Sequence, residues 1–398
     1  MTHNQVTEMD AARLKAAAAA DDAFGIDLYR RLGMGQSTGQ QGTGQQGTGQ
    51  QNLVFSPASI AAALQMALAG ARGSTAAQIA AALHLGGPAE AVDGLRLLSG
   101  VLSSPGEDAT LRAPNTLWVQ DGLPLEPAFT GQLRDVAAAT LRQADFRGAP
   151  QQARSAINDL IAEQTAGKIT NLLGRDAISA STRLVLANAV YLKAAWAFPF
   201  TASATRDAPF HPDGGPPVTV AMMRRTASLP YRRGDGYQAV LLPYQRSSLA
   251  MAVVLPDGPL SGLAPRLDSG LGPLLAGAER RSVALALPKF RQRTSAGLIP
   301  VLRQLGIGDA FTEHADFSGI TRAERLFIGA VVHQAYIDVD EQGTEAAAAT
   351  AVGMRPMALR REPEPIPLTV DRPFLFAIID TSSGLPLFLG QVTRPTAT

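Results

Sequence analysis

The chain has 398 residues, 46% of them hydrophobic and none of them cysteine, and its 35 basic and 34 acidic side chains leave a net charge of +1. That balance gives no bulk field toward nucleic acid or an anionic membrane, and the absence of cysteine excludes disulfides and thiolate sites. No run of about 18 apolar residues offers a membrane-spanning helix.

The apolar content is ample for a large core. MTHNQVTEMDAARLKAAAAADD, at the N-terminus, has an alanine run between acidic flanks and lacks a signal-peptide layout. The compartment stays open: secreted if a leader has been removed, cytoplasmic otherwise. Only Lys15, Lys168, Lys193 and Lys289 are lysine, and together with the abundant Ala, Gly and Pro this reads as GC-rich bacterial coding.

Residues 10–32 have the apolar spacing of a helix toward Leu28 and Leu32. A Gly/Gln repeat, STGQQGTGQQGTGQQ, then occupies Ser37–Gln51 inside a low-complexity stretch over 35–51, and reads as a flexible surface loop. Its GTGQQG matches a dinucleotide fingerprint only by repetition, since no strand precedes it and no helix follows at once.

In FSPASIAAALQMALAGA, Ser56 is placed as an N-cap, Pro57 at the first helical position and Gly70 at the stop. TAAQ at Thr75–Gln78 predicts a capping box that opens another helix. RAPNTLWVQDG predicts a strand and turn, and ARSAINDLIAEQT (153–165) an amphipathic helix. RLVLANAVYLKAAWAF (183–198), SSLAMAVVLP (247–256) and RSVALALPKF (281–290) predict buried strands. DRPFLFAIIDTSSGLPLFLGQVTRP predicts a hairpin around Ser-Ser-Gly. Mixed order without strict βα alternation argues an α+β fold, in one large domain.

EQGTEAAAATAVGMRPMALRREPEPIP, from Glu341 to Pro367, predicts an exposed loop. Ala346–Ala351 is too short to hold a helix alone, and Pro356, Pro363, Pro365 and Pro367 stop one downstream.

Catalytic chemistry is not visible. None of His3, His84, His211, His314 and His333 has a second ligand at metal spacing, and neither a GxSxG elbow nor a Walker A loop is present. A triad assembled from distant residues would leave no local trace, so a hydrolase is the reading kept from another class. His333, in VVHQAYIDVD, reads first as a core histidine with both ring nitrogens hydrogen-bonded. Trp118 and Trp196 read as core packing before binding platforms. Arg360 and Arg361 read as a solvated basic patch or a protease recognition site.

These stretches resemble a serpin in order and over nearly the full length: FSPASI, NTLWVQ, Asp145-Phe146, INDLIAEQTAGKI, NAVYLKAAWAFPF, LPKF, QLGI, VHQAYIDVDEQGTEAA and DRPFLFAIIDTSSGLPLFLGQV. Three of the four lysines, Lys168, Lys193 and Lys289, fall on motif positions. The resemblance implies an α+β serpin fold over 1–398: three β-sheets, about nine helices and a reactive-centre loop within 341–367. It implies a monomeric inhibitor of a target serine protease, not an enzyme, with no cofactor, metal, nucleic acid or membrane. A protease attacks the loop and forms an acyl-enzyme, and the cleaved loop then enters the central sheet as a new strand.

Residue by residue, it makes Glu341, Gly343, Thr344, Glu345, Ala346, Ala347, Ala348 and Ala349 the hinge, with Lys289 paired to Glu341. Ser56, Asn188 and His333 form the polar shutter, each requiring the others' hydrogen bonds, and Trp196 lies at the sheet top. The reactive bond, fourteen positions after Gly343, is Met357–Ala358, with Arg355, Leu359 and Arg360 as rivals. An unbranched apolar residue there suits an elastase-, chymotrypsin- or subtilisin-like enzyme.

A strand entering a sheet must be free of proline and of inward charge. With Glu345 outward, Thr344, Ala346, Ala348, Thr350 and Val352 face inward, all small or β-branched. The alternative is a serpin-fold binding or chaperone protein whose loop does not insert. The Gly/Gln repeat and the long distal segment ALRREPEPIPLTVDRPF depart from the family pattern, and no basic cluster after His84 suggests glycosaminoglycan activation.

Overall fold

The computed structural model describes residues 3–33, 51–134, 136, 139–345 and 364–396. Its helices are α1 (His3–Gly33), α2 (Pro57–Gly70), α3 (Gly73–Ala82), α4 (Pro88–Ser103), α5 (Pro127–Arg134), α6 (Pro150–Gln164), α7 (Gly272–Leu275) and α8 (Ile299–Gln304). The first eight strands are β1 (Leu53–Phe55), β2 (Ala109–Arg112), β3 (Asn115–Gln120), β4 (Thr140–Ala144), β5 (Leu184–Ala195), β6 (Arg206–Phe210), β7 (Val218–Gly234) and β8 (Tyr237–Pro243). The rest are β9 (Leu249–Pro256), β10 (Glu279–Pro288), β11 (Phe290–Gly297), β12 (Ile328–Val339), β13 (Gly343–Thr344), β14 (Ile366–Thr369), β15 (Phe374–Asp380) and β16 (Pro386–Val392).

Seven strands form a central sheet in the order β11-β12-β13-β5-β3-β4, with β2 on the far end of β5. Nine more run β1-β16-β15-β9-β8-β7-β10-β14, with β6 on β7. The long β7 turns a corner in this path. Its Met222–Tyr231 pairs with β10 while Tyr231–Gly234 pairs with β8, so two strand sets share one strand.

Every residue of α2 is buried. An all-round apolar helix of this kind belongs in a core, and α2 lies between β16 and the central strands β3 and β5. Ser56 caps it: Ser59 N donates to Ser56 Oγ at 3.1 Å, and Pro57 fills the first turn. On the other face of the sheet, α6 packs Ile157 and Ile161 against Trp118, Val185, Ala187 and Ala189. Both tryptophans are core residues, at 4% and 1% exposure.

Several boundaries depart from the sequence expectations. Helix α1 begins at His3, not residue 10. Helix α3 begins at Gly73 with no side-chain cap. Thr75 Oγ1 instead accepts from Asp316 N, and Gln78 Oε1 accepts from Gly308 N and Asp309 N, so the TAAQ polar groups serve a neighbouring loop. The 281–290 run is two strands: β10 ends at Pro288, Lys289 N turns to Ala221 O, and Phe290 opens β11 in the other sheet. The 183–198 strand stops at Ala195. The 341–367 segment, expected as an exposed loop, is strand at both described ends, in β13 and β14.

The repeat falls outside the described residues except for Gln51, but its two attachment points are clear. The buried Gln391 amide donates from Nε2 to Gln51 O at 2.7 Å and to Gly33 O at 3.4 Å, while its Oε1 accepts from Tyr29 Oη at 2.7 Å.

Candidate functional site

The site lies where β12 and β5 part. Over most of their length these strands pair directly and in parallel, from Ile328 beside Leu184 to Tyr336 beside Tyr191. Above that point β13 is wedged between them: Thr344 pairs with Val339 on one side and Ala194 on the other, and Gly343 pairs with Ala195.

A set of contacts aims the chain into this gap. Asp340 Oδ1 accepts from Gln342 N at 2.8 Å and Gly343 N at 3.1 Å, closing a tight turn. Trp196 Nε1 donates to Asp340 O at 2.9 Å, Phe200 N to Glu341 O at 2.8 Å, and Trp196 N to Gln342 O at 2.9 Å. Three successive carbonyls are thereby held by the turn after β5. At Gly343 a Cβ would run into the Ala194 carbonyl oxygen, so this entry point requires glycine. Thr344 is fully buried, and its Oγ1 lies 2.6 Å from Tyr244 Oη, whose ring stacks on Trp196 at 4.7 Å.

Glu341 Oε2 lies 2.9 Å from Lys289 Nζ, and its Oε1 accepts from Thr205 Oγ1 at 2.8 Å. Burial pushes the Glu341 carboxyl up, but the Lys289 and Thr205 hydrogen bonds outweigh it and hold the group below its ordinary range. Glu345 closes the wedge. It has φ 47°, a conformation that costs a non-glycine residue strain. Its N–H donates to Asp338 O at 2.9 Å and its carboxylate pairs with Lys168, from the loop after α6. Beneath it the Tyr191 and Tyr336 rings meet at 6.4 Å, with Lys168 and Arg293 over their respective faces at 6.0 and 5.3 Å.

Deeper in the seam lies a buried polar group. His333 and Asn188 are register partners across β12 and β5, and Asn188 is also the partner of Asn115 on β3. Ser56 N donates to His333 Nε2 at 3.1 Å, so the ring's proton sits on Nδ1 and is donated to Asn188 Oδ1. Complete burial lowers the His333 pKa to about 3 and keeps the ring neutral. The expected trio is thus joined differently: Ser56 bonds the ring through its backbone, because its hydroxyl caps α2. Two unforeseen residues extend the group, Ser59 Oγ donating to Asn115 Oδ1 at 2.6 Å. In the sequence Asn115 is marked only as part of the NTLWVQ strand, and no local signal marks Tyr244 or Thr205. Lys168 had one signal, as a lysine in an arginine-rich chain.

The structure therefore brings Glu341, Gly343, Thr344, Glu345, Lys289 and Trp196 together at one end of the seam, and Ser56, Asn188 and His333 lower down. Ala346, Ala347, Ala348, Ala349, Arg355, Met357, Ala358, Leu359, Arg360 and Arg361 lie outside the described residues. Among the described residues no group of three or more acidic or histidine side chains could hold a metal ion, and no helix is long and apolar enough to cross a membrane.

The family model described as serpin, serine protease inhibitor, matches residues 19–395. A serpin-like protein of Thermococcus kodakarensis is 39% identical over 385 residues, 96% of this chain and 86% of its own. The leukocyte elastase inhibitor of Sus scrofa is 34% identical over 399 residues, covering 96% of this chain and 100% of its own. Among solved structures, Serpin48 of the insect Tenebrio molitor superposes with a TM-score of 0.81 at 29% identity, over 96% of this chain and 98% of that one.

Proposed function

The chain belongs to the serpin family, and on that premise we propose that it is an irreversible suicide-substrate inhibitor of elastase-, chymotrypsin- or subtilisin-like serine proteases. It acts as a monomer, with the protease as its covalent partner. The protease serine attacks the Met357 carbonyl, the peptide bond to Ala358 breaks, and the amine leaves with the proton. Met357 is then held as an ester on the enzyme. Insertion of the freed strand carries that ester away from the geometry needed for its hydrolysis.

One observation carries the reading: β13 already pairs on both sides within the seam. Its register has a consequence further along. Thr344 faces Ala194 and Val339, and because β13 runs antiparallel to both neighbours, the same register carried six residues on brings Thr350 level with Asn188 and His333. Thr350 shares the inward parity of the buried Thr344. In the inserted strand its hydroxyl would come between the two side chains whose hydrogen bond the strand must break. Asn188 Nδ2, at present without a partner, could donate to it.

Incubation with an elastase-like protease tests this. The expected result is a complex that survives SDS and releases a fragment beginning at Ala358. Turnover of the loop without such a complex would point to a binding or chaperone role instead. A complex-forming cut at Arg360–Arg361 would overturn both the Met357 assignment and the target class.

A further inference from the structure

The face of α1 that meets the core carries an acid. Asp21, Gly25 and Tyr29 recur every fourth residue and so share one stripe of the helix. Two of them show where that stripe points. A Cβ on Gly25 would come within 2.8 Å of Pro57 Cγ, at the start of α2, and Tyr29 Oη donates to Gln391 of β16. Asp21 lies one turn further along the same stripe. It is 2% exposed, and its Oδ2 is buried without a hydrogen-bond partner.

Among the described residues no cation answers it. Neither α2 nor β16 holds a titratable side chain. The other elements packed most on α1 are α4, α8 and the 3-10 segment Leu260–Ser269. Their charged groups are engaged elsewhere. Glu90 accepts from Gly86 N, Asp93 pairs with Arg96, Arg266 with Asp235 and Asp268 with Arg30 of α1, while Arg303 lies over the Phe311 ring. On α1 itself Asp27 pairs with His84, and Asp22 accepts from Leu271 N. Asp22 is the charge that bears on Asp21, and it has the same sign. A lone carboxylate in such a place is costly enough that the group keeps its proton instead. Burial first, and Asp22 second, push the Asp21 carboxyl from 3.8 up to about 8.

The stripe leads to the shutter. Pro57, against Gly25, follows Ser56, whose N–H holds His333 Nε2 at 3.1 Å. We propose that Asp21 is a proton-operated latch: protonated, it keeps α1 seated on α2 and β16, and on losing its proton it unseats the stripe, loosens Pro57 and weakens the Ser56–His333 contact that closes the seam. The two-state element is the α1 stripe, and the coupling runs through directly touching residues. The consequence for strand insertion rests on the inhibitory reading, whereas the titration of Asp21 does not.

The experiment uses the intact chain with no protease present. The infrared difference between wild type and Asp21→Asn should show the C=O band of a protonated carboxylic acid at about pH 6 and lose it by about pH 9. Asp21→Leu gives the same comparison should the amide variant fail to fold. Between about 3.8 and 8 the folded chain holds a proton that the unfolded chain does not. The contribution to stability is therefore fully present below the lower value and lost as pH rises through the upper one. The thermal midpoint of the variant should accordingly gain on the wild type as pH rises across that window. On mild heating, wild-type polymer should form several-fold faster at about pH 9 than at about pH 7, and the folded variant should lose most of that difference. Absence of the band, or a band unchanged at about pH 9, would overturn the protonated Asp21. A band that titrates as expected, with polymer formation equally pH-dependent in wild type and variant, would overturn the latch.

Discussion

Tyr244 Oη and Thr344 Oγ1 meet 2.6 Å apart in the core, so the first inward side chain of the hinge is already anchored in the intact protein. Tyr244→Phe removes one partner and leaves a buried threonine hydroxyl unpaired, at about 1–3 kcal/mol. The hinge should be released from the gap. Because Tyr244 stacks on Trp196, the release should appear as a change in Trp196 fluorescence and as faster proteolysis near residue 345. Thr344→Arg should put an unpaired cation in a fully buried position. That chain should be cleaved by the protease without forming an SDS-stable complex.

The Lys289–Glu341 pair is largely shielded, with 23% and 13% of the side chains exposed. A double-mutant cycle with Lys289→Met and Glu341→Gln should give a coupling of about 1 kcal/mol or somewhat less. The Glu341 carboxyl is held below its ordinary value of 4.5 in the folded protein. Its contribution is therefore fully present above the unfolded value and lost as pH falls through the lower folded value. The coupling should be intact at neutral pH and vanish in strong acid, and a coupling indifferent to pH would refute the assignment.

His333 shows the same direction of linkage from a different cause, burial and not pairing. Folded, its pKa is about 3 against an ordinary 6.5. Between those values the unfolded chain binds a proton that the folded chain does not, so stability falls as pH drops below about 6.5 and stops responding to this group below about 3. His333→Ala should flatten that segment of the pH–stability curve. It also strands Ser56 N–H and Asn188 Oδ1, at about 1–3 kcal/mol, easing the seam open. Chromatography after mild heating should show polymer or an inserted monomer at temperatures where the wild type stays unchanged.

Thr350→Val keeps the shape of the side chain and deletes the hydroxyl. If the register of β13 continues through insertion, Asn188 and His333 would face a methyl group when the strand arrives. More loop should then be cleaved per covalent complex formed, while thermal stability of the uncleaved protein stays within about 0.5 kcal/mol of wild type. An unchanged ratio of cleavage to complex would show that the register slips.

How far the sequence reveals this arrangement depends on how local each feature is. The Ser56–Pro57 helix start, the hairpin around Ser382–Gly384 and the helix ending at Gln164 are fixed by neighbours a few residues apart, and all are present. The break at Lys289 is not legible, because an unbroken apolar run does not say that its two halves belong to different sheets. TAAQ fails for the converse reason: the local pattern is right, but Asp316 and Gly308 compete for its polar atoms. His333 was recognisable as a buried histidine from its apolar run, but its partners came only through family resemblance, since Asn188 and Ser56 reach it by register and packing. Gly343 and Thr344 carried no strand signal, because two residues acquire strand character only from the edges that flank them.

The single carboxamide of Gln391 grips both Gly33 and Gln51, and this has an evolutionary and practical consequence. The Gly/Gln insert departs from and returns to one point, so the fold does not sense how long it is. Closing a longer flexible loop costs only about 0.6 kcal/mol per doubling of its length. Repeat units can therefore be gained or lost by slippage during replication with almost no selective penalty through stability. By the same reasoning this junction is a natural socket for a grafted reporter or affinity tag, provided that Gln391 and its two carbonyl partners are left intact.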